Sequence, residues 1–313
     1  MISGNRICCS GATAAVLLFL LLPALAAAEW AAPFLWRIEG DKPSYLFGTI
    51  HLADPRLAIL PAAVDDAFKE ADAVYTEIPF DPQSMGRVVQ ATVAPSGKGL
   101  AAILPEDLHA RAAAVLRAIR PELDIAAFDG LRVWAFATQL VLLEAQLSNP
   151  FGTPLDLRLY RRAASEGKAT RAIETIDEQL EVFGSLSRDE EIHMLRDTVD
   201  YMEEAQSEGR DIVGEMLDLY LTGDLARLGE LLEETMTGGS DAEFNERFAR
   251  KLLTDRDKRI AERIARRLRE EPGKVHFFAV GAGHFASAEG IQHRLREKGF
   301  TVERVGLVCP GNR

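Results

Sequence analysis

Two histidines stand at the ends of apolar runs near opposite ends of the chain, each three residues after a glycine: Tyr45-Leu-Phe-Gly48-Thr-Ile-His51 and Val275-His-Phe-Phe-Ala-Val280-Gly281-Ala-Gly283-His284. Two carboxylates occupy comparable places, Glu77 in Ala73-Val-Tyr-Thr-Glu-Ile-Pro79 and Glu174 at the end of Gly167-Lys-Ala-Thr-Arg-Ala-Ile-Glu174. Two imidazoles and a carboxylate can hold a divalent ion while leaving positions open for water. A further carboxylate can serve as ligand, as the partner that orients a ligand, or as general base. Taken singly, each residue more often does structural duty: a strand-end histidine hydrogen-bonds a carbonyl, and a strand-end glutamate caps the next helix. Taken together at one sheet edge, His51, Glu77, Glu174 and His284 point to a functional site.

The Gly-x-x-His spacing alone says little, although composition predicts about half of one instance and the chain has four. Gly273 to His276 opens a strand, and Gly290 to His293 lies in a helical stretch. Only His51 and His284 follow a strand, and ligands of open parallel α/β sheets gather beyond the carboxyl ends of the strands. Gly48 and Gly281 lack a Cβ, so a backbone or a ligand can approach there, and Gly283 permits the positive φ that would turn His284 inward. His109 and His193 lie in polar helical surroundings and read as solvated; His276 reads as a core residue.

The elements that must position these side chains follow from periodicity. A hairpin is expected from strands over 34–38 and 45–51 joined by Gly40-Asp-Lys-Pro43, followed by a helix over 61–71 and a strand over 73–78. Strand, helix, strand with short connections is a βαβ unit and implies parallel pairing. From about residue 100 to 270 the pattern is mostly helical, with apolar residues recurring at three and four over 108–119, 126–147, 192–205 and 244–268. One short strand over 167–174 interrupts it. The chain closes with a strand over 275–280, a helix over 286–298 and a strand over 301–305. The expected fold is α/β, a central mostly parallel sheet from both ends of the chain with a large helical insertion.

Residues 1–28 have the features of a secretory signal peptide: Arg6, an apolar run over 12–22, Pro23, and small residues before a cleavage near Ala28-Glu29. The apolar run is shorter than the ~20 residues of a membrane span, so a secreted or periplasmic protein without a stable transmembrane segment is expected, with 29–313 as a single domain. Cys8 and Cys9 leave with the leader and only Cys309 remains, which excludes an intrachain disulfide. The formal charge of −12 argues against nucleic acid as a partner. No motif sets an oligomeric state. Gly-x-Ser-x-Gly, His-Glu-x-x-His, phosphate-loop and dinucleotide-loop signatures are missing from the sequence. The basic stretch Arg263-Ile-Ala-Arg-Arg-Leu-Arg269 reads as a solvated helix face.

Together, Leu35-Trp-Arg-Ile, Leu46-Phe-Gly-Thr-Ile-His51, Thr76-Glu-Ile, Glu174-Thr-Ile-Asp-Glu-Gln179 and Phe278-Ala-Val-Gly-Ala-Gly-His284 resemble the TraB/PrgY/GumN family, which includes the Tiki-type proteins. The resemblance implies an α/β fold like that of the haem-binding ChaN and erythromycin-esterase (EreA) group. For Tiki-type members it also implies a metal-dependent protease. The family's paired Gly-x-x-His motifs fall on His51 and His284, and its strand-end acid falls on Glu77. Its usual Arg-Asn pair is Arg256-Asp257 here, a departure that adds a negative charge.

The site expected on these grounds has His51, Glu77 and His284 as ligands of a divalent ion (Mn, Co or Zn). Glu77, Glu174 and Arg256 are the catalytic candidates, and Gly48, Gly281 and Gly283 the positions of close cofactor approach. The substrate expected is a peptide or protein. The competing class is a non-catalytic protein that sequesters a peptide or haem.

Overall fold

Strand β2, Ser44–Thr49, is buried along its whole length, as a continuous apolar run in the middle of a sheet must be. The computed structural model describes residues 30–306; the stretch read as a signal peptide, the cleavage expected near Ala28-Glu29 and Cys309 lie outside the described residues. Strand β1 (Leu35–Ile38) pairs antiparallel with β2, which confirms the hairpin. The chain then runs through α1 (Ala62–Glu70), β3 (Ala73–Thr76), α2 (Pro82–Thr92), α3 (Leu100–Ile103), α4 (Glu106–Ile119), α5 (Val133–Ser148) and α6 (Leu155–Ser165). Next come β4 (Ala169–Ala172), α7 (Ile176–Gly184), α8 (Arg188–Glu208), α9 (Ile212–Thr222), α10 (Leu225–Thr237) and α11 (Ala242–Ala249). It ends with α12 (Asp255–Glu270), β5 (His276–Gly281), α13 (Ile291–Glu297) and β6 (Val302–Arg304).

The strand order is β4-β3-β5-β2-β1-β6. Strands β2, β5, β3 and β4 are mutually parallel, and β1 alone runs against its neighbours. Strand β5, from the end of the chain, thus inserts between β2 and β3 from its beginning. Both faces of β5 are covered. Phe277 meets Phe68 of α1 edge-on at 5.4 Å, while Phe278 points to the other face, against Tyr75 at 4.7 Å and alongside Ile264 of α12. A second apolar cluster lies in the insertion, where Leu108, Leu116, Phe136, Leu140, Leu195 and Val199 of α4, α5 and α8 pack together. No helix among the described residues is long and apolar enough to cross a membrane.

Several local expectations are corrected. The stretch 126–147 divides into a 3-10 turn, Ile125–Phe128, and α5, because Gly130 and the bridge from Val93 to Leu131 break the periodic run. The helix expected from 286 starts only at Ile291; a turn closed by Gly290 N–H donating to Ser287 O precedes it. The stretch 244–268 belongs to one helical run in which a π-turn, Arg250–Thr254, joins α11 to α12. The basic face of α12 is not wholly solvated, since Arg263 donates to Glu178 and to Ile173 O. His193 is half-buried and not fully solvated: it packs edge-on against Phe244, with Asp197 3.2 Å away. His276 is fully buried beside Tyr75 and Phe278, as expected of a core residue.

Candidate active site

The register between β2 and β5 pairs Thr49 with Gly281, which sets the two Gly-x-x-His turns side by side. Glu77 follows β3 on the other flank of β5, and Gly281 N–H donates to its Oε1 at 2.6 Å. Glu174 follows β4, and its own N–H donates to the Glu77 carbonyl at 2.7 Å. Parallel pairing therefore brings all four strand ends to one sheet edge. Helix α7 begins directly after Glu174, but Thr175 caps it, in a reciprocal box with Glu178. The Glu174 carboxylate is thereby left for the site.

Arg256 organises the acids. Its Nη2 donates to Glu77 Oε2 at 2.6 Å and to Glu174 Oε2 at 2.7 Å, and its Nε donates to Glu174 Oε2 at 2.9 Å. Arg259, one helical turn on, holds Glu174 Oε1 at 2.5 Å, and the Gln179 amide bridges Glu77 and Glu174. The π-turn ahead of α12 opens the helical ladder, and Arg256 Nη1 donates to the Leu252 carbonyl at 3.2 Å. Such turns recur at functional sites because they re-aim the side chains that follow. Burial opposes the charge on Glu77, but His284, Arg256 and His51 around it and the Gly281 N–H hold its carboxyl well below the usual range. Burial likewise opposes the Arg256 charge, and Glu77 and Glu174 outweigh it.

Each histidine is oriented by a carboxylate on Nδ1. His284 is buried with Nδ1 2.6 Å from Asp257 Oδ1, and His51 has Nδ1 3.0 Å from Asp156 Oδ2. Burial pushes the Asp257 carboxyl up, opposed by its bond to His284. Asp156 chiefly, and Glu77 as well, raise the His51 pKa above its ordinary value; 57 % of that side chain is open to solvent, which screens the pairing.

A Cβ built on Gly281 would lie 3.0 Å from Glu77 Oε1, 3.7 Å from His51 Nε2 and 3.8 Å from His284 Cδ2. Two imidazoles and a carboxylate therefore surround a space that any side chain at 281 would fill. Carboxylate, histidine, ion is the arrangement in which the far carboxylate fixes the tautomer and leaves Nε2 to ligate. Arg256 and Arg259 oppose the four carboxylates of Glu77, Glu174, Asp156 and Asp257, so once both imidazoles give up a proton, as ligation requires, two negative charges remain for a divalent cation to balance. As placed, no three His, Cys, Asp or Glu side chains among the described residues stand close enough to hold an ion. The donor set fits one, and ligation requires the side chains to close further. Beside these groups lies a cavity of about 300 Å³ whose other walls are mainly aliphatic.

The model of the TraB/PrgY/gumN family matches residues 34–304, nearly all of the described chain. The chain belongs to that family. Curated relatives include the zebrafish (Danio rerio) protein named Metalloprotease TIKI1, 27 % identical over 90 % of this chain and 64 % of its own length. The human (Homo sapiens) Metalloprotease TIKI1 is 26 % identical over 86 % of this chain and 61 % of its length. The Metalloprotease TIKI homolog of Nematostella vectensis is 26 % identical over 87 % and 67 %. The chain thus spans about three fifths of the length of the first two. No solved structure gives a significant match.

In this TraB/PrgY/gumN chain the glycines divide by role. Gly281 clears the space between the ligand candidates, whereas a Cβ on Gly48 would meet Phe34 Cβ at 2.8 Å, so Gly48 makes room for the residue just ahead of β1. Gly283 does not take the positive φ expected of it; it lies in a 3-10 turn, Ala282–Phe285, where a Cβ would meet Leu232 Cδ1 at 3.1 Å. Sequence reasoning missed Asp156 and Arg259. Asp156 is the second residue of α6 and nothing in the local pattern links it to His51. Arg259 sits three residues after Arg256 on the same helix face, a spacing that was there to be read.

Proposed function

We propose that this protein is a metal-dependent hydrolase acting on peptide bonds, with His51 and His284 through Nε2 and Glu77 through Oε1 holding a divalent ion. The observation that carries the reading is the convergence of these three groups over Gly281, with Asp156 and Asp257 behind the imidazoles. The names of the relatives support it. A bound Mn, Co or Zn ion would polarise the scissile carbonyl and lower the pKa of a water. Glu77, kept anionic by Arg256 and the Gly281 N–H even when the imidazoles are neutral, suits a ligand. Both oxygens of Glu174 are taken by Arg256 and Arg259, so Glu174 acts by position: it fixes Arg256, which fixes Glu77. The insertion supplies the substrate wall, and the apolar leader over 12–22 supports action outside the cytoplasm.

The test is cleavage of a mixed peptide library by the purified chain, read by mass spectrometry, before chelation, after it, and after return of Mn, Co or Zn. Chelator-sensitive cleavage restored by one of these ions is expected. An intact library with metal-saturated protein would overturn the proposal, and a Soret band on adding haem would then favour sequestration.

A further inference from the structure

The cavity beside the candidate ligands is lined by two unlike sets of residues. His51, Glu77, Arg256 and His284 are one; the other comes from the insertion, Val141 and Leu142 of α5, Met216 of α9, Leu228 and Leu232 of α10, and Leu252 of the π-turn. None of these six carries a hydrogen-bonding side chain. Thr49, the last residue of β2, lines the same cavity at 2 % exposure, and its Oγ1 has no hydrogen-bond partner among the described residues. A buried hydroxyl left unpaired is costly unless a ligand completes it. Tyr220 also lines the cavity, but its hydroxyl is already spent on the Gly48 carbonyl at 2.7 Å.

We propose that this cavity is a specificity pocket for a large aliphatic or aromatic side chain of a peptide, with the Thr49 hydroxyl bonding the peptide main chain beside it. The proposal rests on the hydrolase reading for the position of the peptide and adds the class of substrate. An apolar side chain gains by leaving water here, whereas a lysine or glutamate set among these six side chains would be stripped of water with no partner from any of them. The thioether of Met216 can adjust to differently shaped occupants.

The experiment uses the metal-free full chain with methionine methyl groups labelled for NMR, the Met216 resonance being assigned by its loss in Met216→Leu. The probes are Gly-Gly-X-Gly-Gly amides with X = Leu, Phe, Gly, Lys or Glu. Leu and Phe peptides are expected to shift the Met216 methyl saturably and to bind about tenfold or more tightly than the Gly peptide, with Lys and Glu peptides no better than Gly. Leu232→Trp, which fills the cavity, should abolish the shift, with Val141→Phe as the second variant should the first not fold. Thr49→Val should weaken the Leu peptide without changing the order of preference. No shift with any peptide, or equal binding of Lys and Leu peptides, would overturn the pocket. Apolar binding at Met216 without hydrolysis in the presence of Mn, Co or Zn would overturn the hydrolase reading and leave the pocket standing.

Discussion

His284 Nδ1 lies 2.6 Å from Asp257 Oδ1, with both side chains almost wholly buried. A carboxylate so placed fixes the imidazole tautomer with Nε2 free to ligate. Asp257→Ala should therefore weaken binding of a divalent ion by about 10–100-fold. Asp257→Asn, which can still accept from Nδ1–H, should lose much less. Titration calorimetry with Mn, Co and Zn checks both; equal affinity for the Ala variant and the parent would show that the pair does not serve an ion.

Arg256 is 6 % exposed and bridges Glu77 and Glu174. Removing the cation leaves two buried carboxylates facing each other, so Arg256→Met should cost about 3–5 kcal/mol of stability. Arg256→Lys should recover only part of it, because an ammonium cannot reproduce the planar fork. Denaturant unfolding of both variants measures the difference.

Gly48, next to last in β2, and Gly281, which ends β5, should answer the same substitution in opposite ways. Gly281 has φ −51° and ψ 137°, a conformation alanine adopts freely, and its Cβ would enter the space between His51, Glu77 and His284. Gly281→Ala should leave stability within about 1 kcal/mol of the parent while lowering ion affinity at least about tenfold. In Gly48→Ala the Cβ would press on Phe34 Cβ at 2.8 Å, an overpacking cost of about 1–3 kcal/mol. Paired melting and ion-binding curves separate the two effects.

Glu178 joins α7 to α12. Its bond to Arg263 chiefly, and the Thr175 N–H as well, hold its carboxyl down to about 2, against an opposing effect of burial. A depressed carboxylate contributes stability above its unfolded pKa and loses it as pH falls through the folded value. Glu178→Gln should thus cost about 1–2 kcal/mol at neutral pH, allowing for solvent screening at this partly exposed pair. The difference from the parent should shrink from about pH 4.5 downward and vanish near pH 2. A constant difference across that range would place its origin elsewhere.

The sheet was legible because its strands are short apolar runs bounded by glycine, proline or charge, and the strand-end positions of His51, Glu77, Glu174 and His284 came with them. The partners of those residues were harder to read. Asp156 is brought to His51 by a contact between residues 105 apart, and Gln179 reaches Glu77 across 102; neither distance leaves a trace in local periodicity. The π-turn was also hidden, because an extra residue in a helix barely disturbs a pattern of threes and fours. The 3-10 geometry of Gly283 was misread because glycine permits a positive φ without requiring one.

The most direct measurement is divalent-ion content, by plasma emission, of His51→Ala, His284→Ala, His276→Ala and His293→Ala purified alike, with melting temperatures with and without chelator. All four histidines share the Gly-x-x-His spacing, but only His51 and His284 face the space over Gly281. Loss of the ion in the first two, retention in the last two, and a double variant no worse than either single one are expected of ligands acting as a unit. Equal ion content in all four, with His51→Ala and His284→Ala melting lower whether or not chelator is present, would contradict a shared metal centre.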